Sequence, residues 1–330
     1  MNAKKTKTSK KCPLCEKKTV LIVTEKLRKG EPRKVFYCRP CGLGFLDSGE
    51  SEAEVKAYYK SRYRKEYKPD IAEKTNPKKL FDTYAGFQRD RLDLIAPYLK
   101  KNTRLLEVGC SAGMFLWHAR KKVKEAVGID FDTQSARYAA RKCGCRVYTE
   151  EISRLPFPKG YFNVICAFQT LEHVKDPLGF LNELREYLKP GGILYVEVPN
   201  FDDVLVSSYD LPFHSQFYFH PAHLFYFTHK SLKKTLLKAG FSGDVRFTQD
   251  YNLVNHFNWL INDAPQKNCL SGLSAPELRF KPGVSAAIKA RLGSFLLAAD
   301  KKYKKLLADL GLTSNLAFIG RKNGSGRAVN

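Results

Sequence analysis

The sequence has no apolar run approaching the ~18 residues that a membrane-spanning helix needs, which sets a membrane span aside. Its basic start (Lys4, Lys5, Lys7, Lys10, Lys11) is followed by no apolar stretch before Cys12. A secretory signal is therefore not expected, and a cytoplasmic location is the default. There is no internal repeat and no long low-complexity tract, which sets solenoid and fibrous architectures aside. Acidic residues are scarce, at 33 against 57 Lys and Arg, for a formal net charge of +24. The basic surplus falls mostly in residues 1–80 and 261–330, with a nearly neutral middle. Such ends suit nucleic acid, anionic lipid or a phosphorylated substrate, or serve solubility alone. What the chain does have is size and a core: 330 residues, 43% of them hydrophobic. That is enough for one large α/β domain with small additions, or for two modest domains.

Nine cysteines in a chain of this presumed compartment read as metal ligands and buried thiols rather than disulfides. Cys12-Pro-Leu-Cys15 and Cys38-Arg-Pro-Cys41 are two C-x-x-C knuckles, and four thiolates close a tetrahedral zinc site. The spacer, from Thr19–Val23 to Val35–Tyr37, reads as a hairpin, so the segment looks like a zinc ribbon. A thioredoxin-like redox site would need a βαβ setting that is absent here. With all four positions filled by cysteine, the zinc keeps no open position and is expected to be structural. Cys110, Cys143, Cys145, Cys166 and Cys269 are read as free, mostly buried thiols.

The organisation that follows is a disordered basic tail over 1–11, a zinc ribbon over 12–48 and a helical, Tyr-rich linker or lid over 49–100. Tyr58, Tyr59, Tyr63 and Tyr67 cluster there, interrupted by Pro69 and Pro77; Tyr63, Tyr67 and Tyr84 either fold over a ligand or pack the zinc module on the core. A core domain spans 101–250, an insertion 251–313, and a final core strand 314–323. Within the core, strands are expected at 104–108, 126–129, 146–148, 164–168 and 193–198. Helices lie between them, one capped by Asp176 with Pro177 at its first position and an apolar face of Leu178, Leu181, Leu184 and Leu188. Strand–helix alternation implies a mostly parallel sheet covered on both faces. The insertion carries a helix at about 285–310 with Lys301, Lys302, Lys304 and Lys305 on its exposed side.

The segment Leu105-Leu-Glu-Val-Gly-Cys-Ser-Ala-Gly113 is a strand, a Gly-rich turn and a helix start. Ligands bind at the carboxyl ends of strands in such sheets. Gly109 and Gly113 let the backbone approach a ligand closely. Their spacing departs from the G-x-G-x-x-G dinucleotide fingerprint, and an acid, Glu107, precedes them. Asp130 ends the next strand, where a carboxylate can accept both hydroxyls of a ribose. Together these suit an adenosine-containing ligand without a pyrophosphate.

These segments, with Gly128-Ile-Asp130, Leu155-Pro-Phe-Pro158, Leu171-Glu-His-Val174, Asp176-Pro177, Leu188-Lys-Pro-Gly-Gly192 and Val198-Pro-Asn200, resemble class I S-adenosylmethionine-dependent methyltransferases over about residues 80–250. The resemblance implies an α/β, Rossmann-like seven-stranded sheet with helices on both faces and its last strand antiparallel. Phe241–Gln249 and Asn315–Ile319 would supply the late strands. It implies that Glu107, Gly109 and Gly113 hold the methionine portion of S-adenosylmethionine, with Cys110 in the same loop where a smaller residue is commoner. Asp130 would hold the ribose, Phe131, Glu151 and Ile152 the adenine, and Phe168 and Gln169 would line the site near the transferred methyl. S-adenosylhomocysteine would be the product. The order of zinc module, Tyr-rich helix and core is similar to a bacterial group found with surface-polysaccharide and natural-product pathways, including sugar C-methyltransferases, whose large C-terminal domain has no counterpart here.

Methyl transfer from a sulfonium is an in-line displacement that often needs a base on the acceptor side. His173 follows the fourth core strand, and His214, His220, His223 and His229 cluster after the fifth. His223 or His220 is the candidate base or orienter, and His173 and His223 alternatively stiffen the pocket wall; histidines so grouped can also hold a metal. Three acceptor classes stay open. The first is a small molecule or glycan, such as a nucleotide sugar. The second is RNA or DNA, reached with the basic termini and zinc ribbon. The third is a non-catalytic ligand-binding or scaffolding role. The first is favoured, because Phe168-Gln-Thr-Leu171 lacks the Asn/Asp/Ser-Pro-Pro-aromatic turn of amino-group nucleic-acid methyltransferases, and no RRM-type aromatic motif is present.

Overall fold

The computed structural model describes residues 4–61 and 76–323. Tyr63, Tyr67 and Pro69 lie outside the described residues. Two sheets organise the chain. The larger has seven strands in the order β11-β12-β9-β8-β5-β6-β7. These are β5 (Arg104–Val108), β6 (Glu125–Ile129), β7 (Arg146–Tyr148), β8 (Phe162–Phe168), β9 (Leu188–Pro199), β11 (Phe241–Thr248) and β12 (Asn315–Lys322). β5 to β9 run parallel, and β12 is antiparallel to both β9 and β11. The Rossmann-like seven-stranded fold expected from the sequence is the fold observed.

The central strands are apolar throughout because helices or the second sheet cover both faces. Leu106, Ile165, Leu194 and Val196 share one core with the N-terminal sheet, while Leu105, Val164, Cys166 and Tyr195 on the opposite pleat pack with Phe115, Leu116 and Ala119. Local signals set the helix ends. Asp132 caps the helix Thr133–Cys143 by accepting from Gln134 N, and Gly144 closes it at φ 62°. Asp176 accepts from Gly179 N, with Pro177 opening the helix Pro177–Tyr187.

The smaller sheet runs β1-β2-β3-β4-β10, built from β1 (Lys4–Lys11), β2 (Lys18–Thr24), β3 (Val35–Cys38), β4 (Leu43–Leu46) and β10 (Phe225–Tyr226). Two sequence expectations change here. Lys4–Lys11 is an antiparallel strand on β2 rather than a disordered tail; charged side chains hid a segment that pairs through its backbone, as edge strands commonly do. The N-terminal sheet is also not confined to the N-terminus, since Phe225 and Tyr226 pair with Phe45 and Gly44. Arg28 Nε donates to the Phe217 carbonyl at 2.7 Å and Lys238 Nζ to the Leu14 carbonyl at 2.7 Å, tying the module to the core. Between β11 and β12 lie the helices Leu253–Asn262, Leu270–Leu273 and Ala286–Leu310. Lys301, Lys302 and Lys305 are exposed, but Lys304 is half-buried and donates to the Asp250 carbonyl at 3.3 Å, a correction to its expected place on the solvent face. No helix among the described residues is long and apolar enough to cross a membrane.

Candidate active site

The turns after β5, β6, β7 and β8 converge at the carboxyl edge of the sheet. The β5 turn is left-handed at Gly109 (φ 76°), Ser111 (φ 49°) and Gly113 (φ 84°). A Cβ at Gly109 would collide with the Thr170 hydroxyl, and one at Gly113 would sit 2.8 Å from Cys143 Sγ. Neither position accepts another residue without strain. Ser111 N donates to Asp130 Oδ2 at 2.7 Å and Asp132 N to Asp130 Oδ1 at 2.9 Å, so the Asp130 carboxylate is fixed by backbone donors from two turns. Cys110 is buried, with its thiol packed against Gly128, where any Cβ would lie 2.7 Å from the sulfur. The glycine in β6 makes room for the side chain that departs from the commoner loop.

Two cavities meet at these turns, and both are bordered by Gly109 and Gln169. The smaller, about 380 Å³, is lined by Asp130, Phe131, Glu151, Ile152, Tyr59 and His173. The larger, about 760 Å³, is lined by Glu107, Cys110, Phe168, His214, His220 and His223 among others. Gln169 sits between them at φ 49°, a left-handed conformation that costs a non-glycine residue about 1 kcal/mol. Its backbone N–H donates to the Glu197 carbonyl at 2.8 Å and its side chain to Asn315 Oδ1 at 3.0 Å, which holds the strained turn in place.

Glu107 is 4% exposed, and its Oε2 has no hydrogen-bond partner among the described residues. Burial pushes its carboxyl up to about 8, opposed by the Arg91 guanidinium. A buried carboxylate oxygen without a donor fits a cationic ligand group such as the ammonium of a methionine moiety. Phe168 lies edge-on to Phe115 and Tyr195, with the Arg91 guanidinium carbon 4.7 Å above its ring.

The histidines divide. The His220 and His223 rings pack together, tilted by 47° with centroids 3.7 Å apart, joined by a turn in which His223 N donates to the His220 carbonyl at 3.1 Å. Burial holds both well below the ordinary imidazole range, so both are neutral at pH 7. His173 Nδ1 lies 2.8 Å from the Ala222 carbonyl and 2.6 Å from the Tyr59 hydroxyl. His214 packs edge-on to Trp259 and is lowered to about 4 by burial. His229 leaves the group and stacks on Phe247 instead.

Sequence reasoning missed several residues here. The Arg91–Glu197 ion pair lies in the wall of the larger cavity, with the Glu197 side chain 5% exposed. The signal was a lone carboxylate between Val196 and Val198 in a buried strand. Tyr251, Asn255, Trp259 and Lys304 of the 251–313 insertion line the same cavity, so the segment without a legible motif forms its far wall. Tyr84 borders it too, its hydroxyl 3.4 Å from Cys269 Sγ.

At the other sheet the four knuckle cysteines come together. Cys12 Sγ is 3.4 Å from Cys41 Sγ, Cys15 Sγ is 3.5 Å from Cys38 Sγ, and all four sulfurs lie within 4.8 Å of one another. A tetrahedral zinc with Zn–S near 2.3 Å sets its sulfurs about 3.8 Å apart, so the donor set fits that ion. The hydrogen bond with Cys41 draws the Cys12 thiol down to about 5 and pushes Cys41 up, while burial raises Cys38 to about 11. Such a cluster favours a single thiolate until a cation stabilises the rest.

Residues 80–244 match the family described as a methyltransferase domain. The match spans half of the chain, and the chain belongs to this S-adenosylmethionine-dependent methyltransferase family. It is 31% identical over 121 residues to a ubiquinone biosynthesis O-methyltransferase of Cereibacter sphaeroides, covering 35% of this chain and 48% of that protein. It is 27% identical over 190 residues to a 37.1 kDa protein in transposon TN4556 of Streptomyces fradiae, covering 56% of this chain and 53% of that one. The chain thus spans about half the length of these curated relatives. Among solved structures, a SAM-dependent methyltransferase from Archaeoglobus fulgidus superposes with a TM-score of 0.49 at 19% identity, covering 74% of this chain and 97% of that one.

Proposed function

We propose that this protein transfers a methyl group from S-adenosylmethionine to a small-molecule or glycan acceptor, with a nucleotide sugar or a surface-polysaccharide or natural-product intermediate as the leading class. The observation that carries this reading is the pair of cavities meeting at Gly109 and Gln169. The smaller carries the residue types that hold an adenosine, and the larger brings neutral histidines to the same junction. When bound, the donor supplies an electrophilic methyl on sulfonium. Asp130 accepts its ribose hydroxyls, and Phe131, Glu151 and Ile152 enclose its adenine. Gly109, Gly113 and the Cys110 backbone allow its methionine portion to approach, and Glu107 pairs with that portion's ammonium. Phe168 and Gln169 flank the point of transfer.

On the acceptor side His223 or His220 orients the acceptor or takes its proton, and His173, fixed through Nδ1, stiffens the wall. A neutral imidazole carries the lone pair that an orienting acceptor or general base uses. A structural zinc on Cys12, Cys15, Cys38 and Cys41 holds the sheet whose last strand, β10, follows His220 and His223 directly. The cysteine site would thereby fix the acceptor wall without touching the chemistry. The match to an O-methyltransferase of ubiquinone biosynthesis supports a small acceptor. The larger cavity is lined by Glu107, Glu197, Asp203 and Asp250 as well as by Arg28, Arg91 and Lys304, a mixture unlike the cationic groove that a nucleic-acid backbone requires. The test is transfer of label from methyl-labelled donor to a panel of nucleotide sugars, glycans, phenols and RNA. Label entering a low-molecular-weight acceptor supports the reading; label entering RNA alone, or nothing at all while the donor binds, overturns it.

A further inference from the structure

One buried group, flanked by His173 of the smaller cavity, is left without a role by this scheme. Glu172 lies in the 3-10 turn Leu171–His173 after β8 and is 1% exposed. Neither carboxylate oxygen has a hydrogen-bond partner among the described residues. Leu224 N donates to the Glu172 carbonyl at 2.9 Å, which locks this turn against the segment carrying His223. As a result Glu172 Oε1 lies 3.8 Å from His173 Nε2 and 4.0 Å from His223 Nε2, and one ligand atom from each of the three residues falls within a 4.8 Å set. Burial without a donor disfavours a carboxylate, and a cation is the partner such a group lacks.

The imidazoles are turned for the same purpose. His173 Nδ1 faces the Ala222 carbonyl at 2.8 Å and the Tyr59 hydroxyl at 2.6 Å, so Nε2 is the ring nitrogen turned towards Glu172. An outer N–H donated to a backbone carbonyl is the usual setting of a metal-ligating histidine. His223 likewise turns Nε2 towards Glu172, and its Nδ1 is buried without a hydrogen bond among the described residues.

We propose that Glu172, His173 and His223 form a site for a divalent cation. Two imidazoles and one carboxylate suit Mn2+, Fe2+, Co2+ or Zn2+ better than Mg2+ or Ca2+, and three protein ligands leave positions open. His173 borders the smaller cavity and His223 the larger, so the open positions lie where donor and acceptor meet. A cation there coordinates an acceptor hydroxyl and lowers its pKa, which narrows the acceptor class to hydroxyl-bearing molecules. His220, packed against His223 but outside the ligand set, is then the histidine left to take the proton. This acceptor role rests on the methyl-transfer reading; binding of the cation does not.

The test uses the full chain with its cysteine site zinc-loaded, cleared of weaker metal by dialysis against a mild chelator and titrated with Mn2+ by electron paramagnetic resonance. Mn2+ is chosen because it competes poorly for thiolates. One Mn2+ per chain is expected. Its Kd should rise at least tenfold in both Glu172→Gln, which keeps the side-chain shape, and His223→Asn, and stay unchanged in His214→Asn. S-adenosylhomocysteine binding to Glu172→Gln is measured alongside. No Mn2+ uptake by the wild type, or equal uptake by wild type and Glu172→Gln, overturns the cation site. If S-adenosylhomocysteine still binds, the cation site falls alone; if it fails to bind wild-type protein as well, the methyl-transfer reading falls with it.

Discussion

Replacing Asp130 by alanine removes a carboxylate that stands at the crossing of two turns. In the unliganded protein it accepts two backbone N–H bonds, from Ser111 at 2.7 Å and Asp132 at 2.9 Å. Its side chain borders the smaller cavity, where the proposed donor would set its ribose hydroxyls. A hydrogen bond to a charged group contributes about 1.5–3 kcal/mol, so losing two to the ribose costs roughly 3–6 kcal/mol of binding. At about 1.4 kcal/mol per decade, Asp130→Ala should weaken S-adenosylhomocysteine about 100- to 10,000-fold. Asp130→Asn keeps one acceptor oxygen and should fall between the two. Calorimetric titration of the three proteins, each checked for folding by its melting curve, reads this directly. A folded Asp130→Ala protein that binds within threefold of wild type would refute the placement of the ribose.

Arg91→Ala leaves Glu197 buried beside Tyr195 without its cation, and should destabilise the protein by about 3–5 kcal/mol in chemical denaturation; Arg91→Ala combined with Glu197→Gln should recover much of that loss. Glu107 gives a pH dependence of defined sign. Its folded-state pKa of about 8 lies above the unfolded carboxyl value, so its protonated form stabilises the fold at low pH, and that contribution is lost as pH rises towards 8. The melting temperature of the unliganded protein should therefore fall less steeply between pH 5 and pH 8 in Glu107→Gln than in wild type. Donor binding, which pairs the Glu107 carboxylate, should release protons near pH 7, seen as a binding enthalpy that varies with buffer. Cys38→Ser, or removal of zinc by a strong chelator, should abolish the zinc in metal analysis and lower the melting temperature by several degrees, because the sheet shares one core with β9.

The parts of the fold that follow from backbone periodicity and turn chemistry were legible in the sequence. The strands of the large sheet, the cap at Asp176 and the Gly-rich turn after the first core strand each have a local cause. That Asp130, Phe131, Glu151 and Ile152 would line one cavity was legible because each ends or follows a strand at the same sheet edge. Long-range pairing was not. Nothing local to Phe225-Tyr226 says that it will extend the cysteine sheet, and the lysines of β1 masked its strand. The insertion acquires meaning only in three dimensions, where Trp259 packs against His214 in the wall of the larger cavity. Likewise Glu172 was visible as part of Leu171-Glu-His-Val174, but its lack of donors depends on how His223 folds back over it.

The proposed donor site spans the junction of the two cavities, with adenosine in the smaller and the methionine portion reaching Glu107 in the larger. Titrating the zinc-loaded wild-type protein with S-adenosylmethionine and S-adenosylhomocysteine by calorimetry tests it most directly. Saturable binding of both at one ligand per chain is the predicted result; absence of binding by either ligand to folded, zinc-loaded protein would contradict the account.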